Sequence, residues 1–135
     1  MKLFALLSLA FAHDVPMQIE TIGAGYPISW SSKHDHCNPA TNGWCPSTGA
    51  SDNESDGWIE FFQVSFLRPS RVTTIELQGR NDSNGDQWVE RYRIEITHDG
   101  ANWLDMGEYE GTYDRDTVVS TETDMNALAL RIIPL

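Results

Sequence analysis

Carboxylates are the side chains best placed to do chemistry in this sequence, with 20 Asp and Glu against 9 Lys and Arg. Pairs such as Asp114 with Asp116 have the composition of a general acid beside a base or nucleophile. In so acidic a chain, chance proximity accounts for such pairs. There is no Gly-x-Ser-x-Gly elbow, no His-Glu-x-x-His, no phosphate loop and no nucleophile with a base beside it. The chain therefore reads as a non-enzyme with no cofactor. Calcium is the other use of clustered carboxylates, and Asp52, Glu54, Asp56, Asp82 and Asp86 offer hard oxygen ligands in turn-rich sequence. Their spacing fits no EF-hand, so the ion in question is a structural one. His34, His36, Cys37 and Cys45 have zinc-ligand chemistry, but all four would have to converge on the metal. A Cys37–Cys45 disulfide closing one short loop is the simpler reading.

That disulfide needs an oxidising compartment, and the first residues supply the address. Lys2 gives a positive start, Leu3 to Phe11 are mostly apolar, and Ala10-Phe11-Ala12 offers the small-x-small pattern of a signal-peptidase site. Residues 1–12 read as a signal peptide and 13–135 as one domain, enough chain for one core but not two. The apolar stretch is far short of the ~20 residues that span a bilayer. Two acceptor sequons, at Asn53 and Asn81, suit a secreted chain. The net charge is −11, and loss of Lys2 takes it to −12. Nucleic acid and anionic lipid both call for a basic footprint, so this balance excludes the first and disfavours the second.

The elements that would position any such group are strands. Short β-branched and aromatic runs alternate with Gly, Asn, Asp, Ser and Pro clusters, which is the pattern of a sandwich or barrel. Strands are expected at Gln18–Ile22, Trp58–Phe66, Val72–Leu77, Trp88–Thr97, Trp103–Met106, Thr117–Thr121 and Leu128–Ile133. Tyr92, Ile94 and Ile96 alternate with Arg93, Glu95 and Thr97, giving one buried and one wet face. Asp99-Gly100 predicts a two-residue hairpin turn, because both central positions of such a turn need positive φ. Trp103 should then re-enter on the core side. The polar stretches Ser31–Gly57, Asn81–Gln87 and Glu108–Asp116 fall between strands, where binding residues usually sit.

From Val72 onward the order of segments resembles a known family. Gln78-Gly79-Arg80, Trp88-Val89, Asp99-Gly100 with Trp103, and Arg131-Ile132-Ile133-Pro134 match in sequence the discoidin (factor V/VIII type C) domain. Upstream, Ile28-Ser29-Trp30-Ser31-Ser32, Gly43-Trp44-Cys45-Pro46 and Phe62-Gln63-Val64-Ser65-Phe66 are similar to its early motifs, although Ser65 stands where the family has an aspartate. The resemblance implies an all-β, antiparallel β-sandwich or jelly-roll barrel of the galactose-binding-like type. It also implies that Trp44, Trp88 and Trp103 are core residues. The family continues into a further strand, so this chain is expected to lack that last strand and to leave Leu128–Leu135 and Gln18–Ile22 unpaired. Bare edges of this kind invite self-association.

By the same resemblance, ligands are held by three loops at one end, here Trp30–His36, Arg80–Trp88 and Glu110–Asp116. A sugar needs an aromatic face for its ring and planar polar groups for its hydroxyls. Trp30 would supply the first, and Arg80, Asp82, Asn84, Asp86 and Asp114 the second. The expected partner is a glycan in extracellular recognition or adhesion, with a collagen-like or other extracellular protein as the alternative. Lipid ranks last, because the loop tips NDSNGDQ and EGTYDRD lack the exposed apolar and basic residues that enter a bilayer surface.

Overall fold

A computed structural model of the chain describes residues 4–6, 8–10, 16–18, 27–31, 59–79 and 88–135, the first three segments as backbone only. Among these residues the ordered elements are all strands: β1 Phe4–Leu6, β2 Ser8–Ala10, β3 Pro16–Gln18, β4 Ile28–Trp30, β5 Phe62–Gln78, β6 Arg91–Thr97, β7 Trp103–Glu110 and β8 Val118–Pro134. β2 and β3 pair as a separate hairpin. The others form one antiparallel sheet in the order β1-β5-β8-β6-β7, with β4 also on β5.

β5 and β8 each run for 17 residues and are twice as long as the sequence suggests. The expected Trp58–Phe66 strand begins only at Phe62, with Trp58 outside the described residues, and it merges with Val72–Leu77 through Arg68-Pro69, which look like a turn. Pro69 is tolerated because it sits in a bulge, where the register jumps from Ser65↔Ala129 to Ser70↔Ala127 and no ladder donor is required of it. A second jump falls between Val72 and Thr74. These breaks reset the alternation. Phe62, Val64, Phe66 and Val72 are buried in the first part of β5, Ile75 and Leu77 in the second, so the phase switches and one core receives both.

The two halves face each other as layers. Tyr92 lies opposite Pro134, yet its hydroxyl donates to Thr121 Oγ1 at 2.8 Å, 13 residues back along the same strand. A straight strand would separate those positions by about 43 Å. β8 must therefore double over, and β5 with it. Val72, Ile75, Leu77, Met125 and Ala127 from one layer meet Phe62, Tyr92, Ile94, Leu130 and Ile132 from the other in a single buried cluster. Each large side chain so buried contributes about 1.5–3 kcal/mol.

The expected bare edge at Leu128–Leu135 is not found. That segment pairs with Phe62–Ser65 on one side and Tyr92–Thr97 on the other, making β8 the central strand. The expected Gln18–Ile22 strand is seen only as Pro16–Gln18, with 19–22 outside the described residues. The hairpin after β6 also differs from expectation. Thr97 pairs with Trp103, which leaves a five-residue loop. Only Gly100 has positive φ (80°), and Asp99 does not, so a two-residue turn cannot form. Asp99 organises the longer loop instead: its Oδ1 accepts from the N–H groups of Ala101 and Asn102, both at 2.8 Å.

Candidate functional site

The doubled strands carry the chain back to one end, where the feet of all three expected loops are gathered. The first loop leaves β4 at Ser31, whose N–H donates to Phe61 O at 3.0 Å while Phe61 N–H donates to Ser31 Oγ at 2.8 Å. The Ser31 hydroxyl donates in turn to the buried Glu60 carboxylate. The second and third loops are tied together. Gly111 N–H donates to Glu90 O at 2.7 Å and Thr112 N–H to Val89 O at 2.8 Å. Gln78 Nε2 donates to Asp116 O at 3.1 Å. Gly79 lies so close to the backbone of Asp114 and Arg115, and Gly111 to that of Val89, that neither position has room for a Cβ.

Asp114 is exposed and organises the third loop through its carboxylate. Its Oδ1 accepts from the N–H groups of Asp116 (2.8 Å) and Thr117 (2.6 Å), and its Oδ2 from Thr117 Oγ1 (2.7 Å). These donors favour the ionised form, those of Thr117 most, and hold the carboxyl below the usual aspartate range. Trp30 does two things at once. It packs against the core cluster from β4 and also lines a cleft of about 450 Å³ with Ser31, Ile59, Phe61, Glu95, Arg131 and Ile133. Asp114 is not among the groups lining that cleft. Arg80, Asp82, Asn84 and Asp86 lie outside the described residues, as do Asp52, Asp56, Cys37, Cys45, Asn53, Asn81, His34, His36 and Trp44. Among the described residues, no three His, Cys, Asp or Glu side chains are grouped so as to hold a metal ion.

The cleft occupies the wet face of the sheet, and sequence reasoning did not find it. Arg131 stands opposite Gln63 on one side and Glu95 on the other. Its guanidinium carbon lies 4.2 Å from the Phe61 ring centroid and 3.7 Å from that of Trp103. Its Nε donates to Gln63 Oε1 at 2.9 Å. Burial against the rings lowers the Arg131 pKa, and the Glu95 charge acts in the opposite sense. Glu95 also faces Arg93, 3.8 Å away. Trp103 is thus half-buried on the outer face over Arg131, not on the core side as expected, because it lies opposite Thr97 rather than beside Ile96. Trp88 is likewise only half-buried, its indole N–H donating to Glu90 at 3.3 Å. The alternation along β6 and β8 marked Glu95 and Arg131 as wet-face residues. Which of them meet across strands depends on register, and a single sequence does not give it.

Residues 26–135 match the model of the F5/8 type C domain. The chain belongs to this family. Rat lactadherin (Rattus norvegicus) is 27% identical over 125 residues, 80% of this chain and 29% of that protein. Discoidin-1 of Dictyostelium discoideum is 28% identical over 119 residues, 79% of this chain and 46% of that one. The F5/8 type C chain thus spans less than half the length of either relative. The solved structure of discoidin II from Dictyostelium discoideum superposes with a TM-score of 0.65 at 19% identity, covering 81% of this chain and 48% of that one. That likeness carries the fold, an antiparallel discoidin-type sandwich. F5/8 type C domains are extracellular ligand-binding modules and are generally non-catalytic.

Proposed function

We propose that the chain is a secreted, non-catalytic F5/8 type C module that binds carbohydrate through the loop end of its sandwich. The observation carrying this reading is the gathering of the three loop feet, fixed by backbone hydrogen bonds at Ser31–Phe61, Gly111–Glu90 and Thr112–Val89. Loops anchored in this way present side chains on a preorganised base, so little ordering entropy is lost on binding. Trp30 at the foot of the first loop offers an apolar ring face. Arg80, Asp82, Asn84 and Asp86 of the second loop offer planar groups for hydroxyls, and Asp114 shapes the third loop more than it addresses the ligand. Residues 1–12 direct export, and Cys37 with Cys45 close the first loop.

A glycan array probed with the purified domain, with and without calcium, tests the reading. Arg80→Ala should weaken binding by about 1.5–3 kcal/mol, the worth of a charged hydrogen bond, while leaving the fold intact. Unchanged affinity in folded Arg80→Ala protein would remove the second loop from the site. A response to collagen-like peptide with no glycan signal would replace carbohydrate with a protein ligand.

A further inference from the structure

The outer-face cleft has chemistry of its own. Its walls pair apolar surface from Trp30, Ile59 and Ile133 with the charged groups of Arg131 and Glu95. At about 450 Å³ it falls within the range of small-molecule sites. Arg131 is held rather than loose: Phe61 and Trp103 stack on its guanidinium and Gln63 fixes its Nε. Among the described residues no hydrogen bond engages its two terminal nitrogens. A planar guanidinium immobilised in this way presents a fork of N–H donors that matches a carboxylate.

The charges around the fork are mixed in sign. Among the described residues, Arg131 and Arg93 flank one carboxylate, Glu95. Asp105, next across the sheet, turns its carboxylate to the N–H of Gly107 at 2.7 Å. Glu60, at the Trp30 side, is buried and accepts from Ser31. The Arg131 fork itself is what the cleft offers an incoming carboxylate.

We propose that this cleft is a second binding site, one that takes an acidic sugar with its carboxylate on the Arg131 fork and its ring against the half-buried Trp30 and Ile59. It shares Trp30 with the loop end but uses none of Arg80 to Asp86, so Arg131 and Trp103 report on the cleft alone. The clamp also supplies selectivity. A neutral sugar would leave the fork without its matched acceptor, whereas a uronic or sialic acid fills it.

The test is an NMR titration of the full domain with D-glucuronic acid and N-acetylneuraminic acid, set against D-glucose and D-galactose. The indole N–H signal of Trp103, which stacks on Arg131 and takes no part in the loop end, should move with at least one acid and with neither neutral sugar. Arg131→Lys keeps the charge but loses the fork and should weaken acid binding by at least about tenfold. Arg131→Gln should abolish it, and Arg80→Ala should leave it unchanged. If Arg131→Gln fails to fold, Arg131→Lys decides. Equal response to neutral sugars, loss of acid binding in Arg80→Ala but not in the Arg131 variants, or no response to either acid would each overturn the assignment. Because Arg80→Ala reads the loop end and the Arg131 variants the cleft, failure at one leaves the other standing.

Discussion

The loops 98–102 and 112–117 are built on the same device and end in different surroundings. In each, one aspartate accepts two backbone N–H groups: Asp99 from Ala101 and Asn102, Asp114 from Asp116 and Thr117. In the first loop His98 sits beside Pro69 and Asn126, but Gly100 has open space around it. The second is bound to Val89, Glu90 and Gln78 and pressed against Gly79. Local chemistry alone thus makes a turn in both cases, and only the second is tethered to other segments at the loop end of the sandwich. The glycines show the difference. Gly100 is required for its φ of 80°, Gly111 for its closeness to another chain segment.

Substituting these two glycines is the sharpest way to break the comparison. Gly111→Ala places a methyl against Val89 O and forces the backbone to move, which should cost about 3 kcal/mol. Gly100→Ala meets no atom and should cost only the left-handed backbone penalty, about 1–2 kcal/mol. Urea denaturation measures both. If Gly100→Ala proves the more damaging, tethering is not what distinguishes the loops.

A smaller effect is expected from the bond that proves the doubling of β8. Tyr92→Phe removes the hydroxyl that donates to Thr121 and should destabilise by about 1 kcal/mol without changing the fold. The Tyr92 hydroxyl pKa is itself raised, chiefly by burial, so this bond persists through the neutral range. An unchanged urea midpoint would mean that the two layers are held by packing alone.

The mildest effect is on pH dependence. Both loop aspartates have depressed pKa values in the folded state, Asp99 the more strongly, held down first by the N–H groups of Asn102 and Ala101. The unfolded chain binds protons first. The stabilisation is therefore complete above the ordinary aspartate pKa of about 4 and declines as pH falls through that value and below it. Both carboxylates are exposed, so solvent screening keeps each contribution small. Asp99→Asn should flatten the acid limb of the stability curve more than Asp114→Asn, in urea midpoints compared at about pH 6 and about pH 3. The reverse order would show that the tethered loop holds its carboxylate more tightly than its own donors suggest.

Much of the fold was legible where alternation is strict. Tyr92, Ile94 and Ile96 are buried and Arg93 and Glu95 are not, as their spacing required, whereas Thr97, expected on the wet face, is buried where its hydroxyl accepts from Gly100 N–H in the following loop. It was least legible in the long strands. Arg68-Pro69 and Thr123-Asp124 carry turn-like chemistry, and the bulges that let β5 and β8 continue through them leave no signature beyond it. The register breaks also shift which residues face inward, so no single period describes either strand. Of the candidate site, Trp30 was found from its motif and type. Phe61, Trp103, Glu95 and Arg131 converge only through cross-strand register, set by the folded sheet rather than by neighbours in sequence.

The central position of β8 has a consequence in time. β6 and β7 meet through a five-residue loop and can zip locally. β5 can pair with β1 and β4 but joins β6 only through β8, whose partners lie 40 residues away at Gln78↔Val118 and 70 at Phe62↔Ile132. β6 too has β8 as its inner neighbour, so the hairpin has nothing to dock on until then. As the chain emerges during synthesis, the described strands before residue 118 form separate groups without a middle. Such non-local closure belongs to the slow, high-contact-order class of folding. The sheet assembles when its latest strand arrives, all at once and around it.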